Sequence, residues 1–289
     1  MTTTAPPTGP VSTNPKIRTI SRASEMPKRR GSRFPSWVPP VLVFIVLIAL
    51  WYFVSYVVIA PAQSFLVPPP QKIFTEAFFD PKALGDISEA LLRSASVALT
   101  GLAIAIVIGF VWAVAMSQAR WIERSLFPYA VILQCIPVLA LVPLIGFWFG
   151  FDFPARVIVC VMIALFPIVS NTLFGLQSVD KGQRELFQLQ KANRWTVLTK
   201  LEFPAALPAI FAGMRISAGL AVVGAIVGDY FFRRGEPGLG ALIGNYQSRV
   251  QGPELFAAVI TASLFGVAVF LLFGWLGKLA VGKWYDYSK

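Results

Sequence analysis

Residues Glu185–Pro208 read ELFQLQKANRWTVLTKLEFPAALP, a basic, amphipathic stretch set between two strongly apolar runs. Leu186, Phe187, Leu189, Trp195, Leu198 and Leu201 give it an apolar side. Arg184, Lys191, Arg194 and Lys200 give it a basic side. At helical spacing these residues form two opposed stripes. The pattern predicts two short helices with a break near Ala192-Asn193, and Asn193 has the chemistry of an N-cap for the second. Glu185 is expected in the first turn of the first helix, where the helix dipole favours a carboxylate. Pro204 and Pro208 are expected to end the second helix and restart the chain as a new apolar segment.

Outward from this stretch the chain is that of a membrane protein. Of its 289 residues 56% are hydrophobic and only 13% are charged, against about 25% charged in soluble domains. Six apolar runs, at about 37–60, 91–116, 126–149, 155–176, 208–231 and 254–280, each approach the ~20 residues that cross a bilayer. The first is longer than the h-region of a signal peptide, about 7–15 residues, and is expected to be retained. The expected fold is therefore all-α and polytopic, with six transmembrane helices. Residues 1–35 are expected to form a disordered basic tail, 36–284 the membrane domain with an internal loop at 177–207, and 285–289 a short second tail.

The net charge of +11 follows this topology and argues against a nucleic-acid partner. With the N-terminus inside, seventeen of the 25 Lys and Arg residues fall in inside segments and eight elsewhere. The positive-inside bias thus places both termini in the cytoplasm. Several chemistries are excluded. The chain has no histidine, so histidine-based catalysis and histidine-ligated metals are impossible, and no metal site is expected. Cys135 and Cys160 lie in apolar runs and are expected to be small buried side chains. No G-x-x-x-x-G-K-[ST] motif occurs, so the chain is expected to bind no ATP and to be no enzyme.

Residues 179–217, VDKGQRELFQLQKANRWTVLTKLEFPAALPAIFAGMRIS, resemble the cytoplasmic loop of the permease subunits of bacterial ABC importers. Glu185 stands at that loop's Glu position. Asn193-Arg194-Trp195 stands where a small polar residue, Arg and Trp are common, and Pro204, Pro208 and Gly213-Met214-Arg215 match its end. Leu186-Phe187 replaces the usual Ala-Ala, and Lys191 stands where Gly is usual. Gly would permit a left-handed kink, which Lys adopts at about 1–2 kcal/mol.

The resemblance extends over about residues 36–284. FLVPPPQKIFTEAF (65–78), ILQCIPVLALVPLIGFWFGF (132–151), FPIVSNTLFGLQSVD (166–180) and LAVVGAIVGDYFFRRGEPGLGALI (220–243) look like segments of the nitrate, sulfonate and taurine group. That group also includes permeases for thiamine-precursor pyrimidines and riboflavin. Gly228-Asp229 stands where the group usually has Gly-Glu.

The resemblance implies a six-helix permease of the type I importer kind, acting as a homodimer. In it Glu185, Leu186, Phe187, Leu189, Lys191, Ala192, Asn193, Arg194, Trp195, Pro204 and Pro208 would form a coupling element docked on a separate nucleotide-binding ATPase subunit. ATP and Mg would sit on that partner. A periplasmic or lipid-anchored solute-binding protein would dock on residues 61–90 and 232–253, and a small anion or heterocycle would be carried. The rival readings are an interfacial helix lying on membrane lipid, and a secondary transporter or channel needing no ATPase.

Four polar residues in the spans are candidates for the pathway or its gate. Gln134 is placed mid-way along the third span and Asn171 within the fourth. Arg215 lies near the inner start of the fifth and Asp229 near its outer end. Asp229 is expected to pair locally with Arg233 or Arg234. Pro137, Pro143 and Pro167 predict kinks in the third and fourth spans, and the spacings Gly224-x-x-x-Gly228 and Gly146-x-x-x-Gly150 permit close helix contact.

Overall fold

A computed structural model describes residues 35, 37–60, 63, 65–232 and 236–282. The expected terminal tails, with Lys283 and Lys289, lie outside these apart from residue 35, as do Arg233 and Arg234. Every element among the described residues is helical. The chain divides into two units, Met1–Leu47 and Ile48–Lys289. The described part of the first is essentially the opening of α1 (Val38–Phe53), a wholly apolar helix with no buried residue.

In the second unit, α1 ends in a π-helical turn, Val54–Val58. The following segment returns against it: Trp51 Nε1 donates to the Pro68 carbonyl at 3.2 Å and Ser55 Oγ to that of Val67 at 2.8 Å. After α2 (Pro70–Ile73) and a second π turn comes α3 (Pro81–Ser117). It begins ten residues before the expected span because Asp80 accepts from the Ala83 N–H at 3.1 Å and Pro81 occupies the first turn, the arrangement that starts a helix most readily.

The expected third span is two helices. α4 (Arg120–Cys135) and α5 (Val138–Phe149) meet at 96°. Pro137 is the cause: it disfavours helical geometry at Ile136, which is extended at φ −64, ψ 125. Among the described residues, five helices are long and apolar enough to cross a membrane, six if the bent pair counts as one span. Cys135, at the break, is exposed rather than buried, whereas Cys160 is buried as expected.

α6 (Phe153–Gln177) and α9 (Phe203–Phe231) form the central pair, flanked by α3 and α11 (Gly252–Val281). Leu102, Cys160, Ile168, Ala221, Ala225 and Val269 share one core among these four helices. α6 and α9 approach closely because the contact side of α9 is made of small residues. A Cβ on Gly224 would lie 2.8 Å from the Cα of Cys160, so the weak small-xxx-small spacing does mark a real seam. Ser217 Oγ crosses the same seam to the Ala164 carbonyl at 2.6 Å. α10 (Leu239–Ser248) packs Leu239, Leu242 and Tyr246 against Ile73, Ile87 and Ala258.

Candidate functional site

The 181–202 segment is a two-helix knuckle. α7 (Lys181–Leu189) is capped by Asp180, whose carboxylate accepts from the Gly182 N–H at 3.3 Å. The acid at the helix start is thus Asp180. Glu185 lies beyond the first turn, a correction to its expected place, and is exposed. At the other end Ala192 N–H donates to the Phe187 carbonyl at 3.0 Å and Lys191 N–H to that of Gln188 at 2.9 Å. This is a Schellman closure, and its left-handed position is held by Lys191 at φ 51. The kink that glycine would allow is therefore present with lysine. Replacing Lys191 with Gly is expected to raise stability by about 0.5–1 kcal/mol, because the left-handed strain relieved exceeds the backbone entropy lost. Thermal unfolding of the purified protein in detergent would show it.

Asn193 then caps α8 (Arg194–Val197), accepting from the Thr196 N–H at 2.7 Å. The prolines do not end this helix, contrary to expectation. α8 runs through a π turn, Leu198–Glu202, directly into α9, giving one helical path over Arg194–Phe231. The Phe203 N–H reaches back five residues to the Leu198 carbonyl. The wider turn accommodates Pro204, which brings no N–H of its own. Pro204 and Pro208 are half-buried inside the continued helix.

The knuckle is anchored from beneath. Arg184 donates to the Leu176 carbonyl at the end of α6, at 3.0 Å, and pairs with Glu202 at 3.1 Å. Leu198 is buried with Leu176, Ala206 and Ile210. The apolar stripe therefore splits. Leu198 faces inward, whereas Leu186, Leu189 and Trp195 are 53%, 81% and 70% exposed. Phe187 and Ala192 are half-buried; Lys191, Asn193 and Arg194 are exposed. A rooted element that presents three large apolar side chains among cations is built to be covered by something else.

A second cluster lies at the opposite end of α9. Asp229, fully buried, pairs with Arg156 of α6 at 3.2 Å and accepts a hydrogen bond from Ser94 of α3. Its partner among the described residues is Arg156, from another helix; the expected partners Arg233 and Arg234 lie outside the described residues. Arg156 also donates to the carbonyls of Glu236 and Phe232, each at 3.0 Å, and Ser94 Oγ accepts from the Leu239 N–H at 2.8 Å. Gly238 closes the site: a Cβ there would overlap the Asp229 carboxylate. Nearer the surface, Arg93 pairs with Glu236 at 3.0 Å and Glu89 at 3.3 Å. A buried ion pair persists only with such further hydrogen bonds, and these pin the link between α9 and α10.

The four pathway candidates are engaged separately. Gln134 is exposed at the end of α4, beside the break in the bent pair. Asn171 donates to the Pro167 carbonyl of its own helix at 2.8 Å. The Arg215 guanidinium lies 4.0 Å from the centre of the Phe270 ring. Arg156, Ser94 and Glu202 were not foreseen as site residues. The available signal was an arginine two residues inside an apolar run, which must find a carboxylate.

The family described as the binding-protein-dependent transport system inner membrane component matches residues 105–283, more than half of the chain. The chain belongs to this family. This permease is 31% identical over 271 residues to the riboflavin transport system permease protein of Chloroflexus aurantiacus, covering 94% of this chain and 95% of that one. It is 32% identical over 236 residues to the formylaminopyrimidine transport permease protein of Halalkalibacterium halodurans, covering 80% and 90% respectively. Among solved structures, an amino acid ABC transporter crystallised with histidines shares the fold at a TM-score of 0.52 and 19% identity, covering 68% of this chain and 94% of that one. The permease is thus a multi-pass inner-membrane component of an ABC importer, a transport protein and not an enzyme.

Proposed function

We propose that this permease carries a small heterocyclic solute and is driven by a separate ATPase subunit docked on residues 181–202. The observation that supports coupling is the rooted knuckle with Leu186, Leu189 and Trp195 exposed. An apolar helical face flanked by cations fits a groove on a protein partner. Glu185, Lys191, Asn193 and Arg194 would form the polar rim. Pro204 and Pro208 lie in the helix that carries movement into the bundle. Hydrolysis, with its ATP and Mg, belongs to the partner.

The heterocycle is favoured over a small anion by the relatives at 31% and 32% identity, named for riboflavin and formylaminopyrimidine. Those named for sulfonates and nitrate are 25–29% identical. Two copies would enclose the path about a two-fold axis, with both termini cytoplasmic as the charge bias requires. A binding protein would deliver solute to the face formed by residues 65–80 and 236–252. Among the pathway candidates, Gln134 and Asn171 are the uncharged polar groups available to line it, while Asp229 with Arg156 holds the outer end of α9. Transport needs only alternating exposure of the path, with no bond made or broken by this chain.

The test is co-purification from membranes, probing for a bound nucleotide-binding ATPase subunit. Wild type should retain it, whereas Glu185→Ala with Leu189→Asp, inserted and folded, should lose it by at least about tenfold, as expected when an apolar anchor is replaced by a charge. If wild type purifies alone and transports without ATP, the secondary-transporter reading replaces this one.

A further inference from the structure

A groove of about 650 Å³ runs between α9 and α11, lined on α9 by Gly219, Val222, Val223 and Ile226. Phe270 closes its lower end and also lines an adjoining hollow of about 280 Å³, which holds Arg215 and Lys278. Arg215, Gly219, Val222 and Ile226 lie on one face of α9, since their spacings are helical. The two hollows therefore form one channel: apolar over its length, with two cations at the end nearer the knuckle.

The geometry points to an anionic phospholipid as the occupant, one acyl chain in the groove and its phosphate at Arg215 and Lys278. Three observations support this. No Asp or Glu lines either hollow, and Arg215 has no carboxylate partner among the described residues. The eleven helical steps from Arg215 to Ile226 span about 16 Å, which matches half the ~30 Å hydrocarbon core of a bilayer. The ring of Phe270 holds the guanidinium at the mouth of the groove, where a cation is desolvated on one side and still free to take a phosphate.

The experiment counts lipid bound to the purified full-length chain by native mass spectrometry, titrating dioleoyl phosphatidylglycerol against dioleoyl phosphatidylcholine. Wild type should prefer the anionic lipid by about thirtyfold, the size expected of two cations at headgroup level. Arg215→Gln with Lys278→Gln should bring the two lipids near parity. Gly219→Leu keeps the cations but fills the groove, and should weaken both. A Cβ at Gly219 meets nothing within 4 Å, so this variant should fold; Gly266→Leu, whose Cβ first meets Val222 at 3.7 Å, fills the same space. Equal retention of the two lipids by wild type would overturn the assignment. So would retention untouched by filling the groove, or disulfide cross-linking of two Gly219→Cys copies through this face, which would make it a contact between copies.

Discussion

Replacing Asp229 with Ala should cost this permease about 3–5 kcal/mol, the range for removing one partner of a buried ion pair. Arg156 would remain 5% exposed with its carboxylate gone, and an uncompensated guanidinium inside a helix bundle is among the most unfavourable defects available. The double variant Arg156→Leu with Asp229→Leu should recover much of the loss, because two apolar side chains leave no charge behind. Recovery should be incomplete in one respect. Arg156 also holds the carbonyls of Phe232 and Glu236, so the α9–α10 link should stay more open to protease in the double variant than in wild type. Removing Arg93, whose pairs with Glu89 and Glu236 reach the surface, should cost no more than about 1 kcal/mol. Thermal unfolding in detergent and limited proteolysis separate these cases. An Asp229→Ala variant as stable as wild type would refute the anchor.

The second large effect is expected at Gly224. A Leu there would drive its Cβ to 2.8 Å from the Cα of Cys160, and backbone cannot rotate away as a side chain can. Overpacking of a core costs typically about 1–3 kcal/mol. With the two central helices forced apart, the loss should reach or exceed the top of that range, and the protein should fail to accumulate in membranes. The matched control is Gly219→Leu, five residues earlier on the same helix, where the added Cβ meets open space. Its unfolding midpoint should stay close to that of wild type. Equal behaviour of the two variants would mean that the α6–α9 seam does not limit stability.

The membrane class, the approximate positions of the spans and the break at Ala192-Asn193 were all legible in the sequence, because each rests on a local rule: apolar length, or a cap at Asn193. The family could be read from the 179–217 pattern. Legibility failed where distant parts of the chain meet. For Asp229 the sequence suggested its neighbours Arg233 and Arg234, which lie outside the described residues, and did not suggest Arg156. The described partner is 73 residues away on α6, a choice made by helix packing. Pro204 and Pro208 look like breaks, yet a π turn carries the helix through; a turn that adds one residue leaves no mark in composition. Pro137 had the reverse outcome, splitting an apolar run of spanning length into two helices at 96°. At these prolines the local tendency was correctly identified, and the surrounding packing decided its expression. The roles proposed for Glu185, Leu186, Leu189 and Trp195 now rest on their exposure, and the co-purification experiment tests them.

The unbroken path from Arg194 to Phe231 has a mechanical meaning. Its 38 residues extend up to about 57 Å at the α-helical rise, with Trp195 at one end and the clamped carboxylate of Asp229 near the other. On the coupling proposed above, that clamp would act as a fulcrum and the exposed indole as a handle. On a lever of this length a tilt of about 5° displaces the handle by about 5 Å, one helical turn, while the pivot scarcely moves. If the knuckle couples as proposed, a small angular change among the membrane helices and a large linear stroke at the knuckle would be the same motion, geared by the length of a single helix.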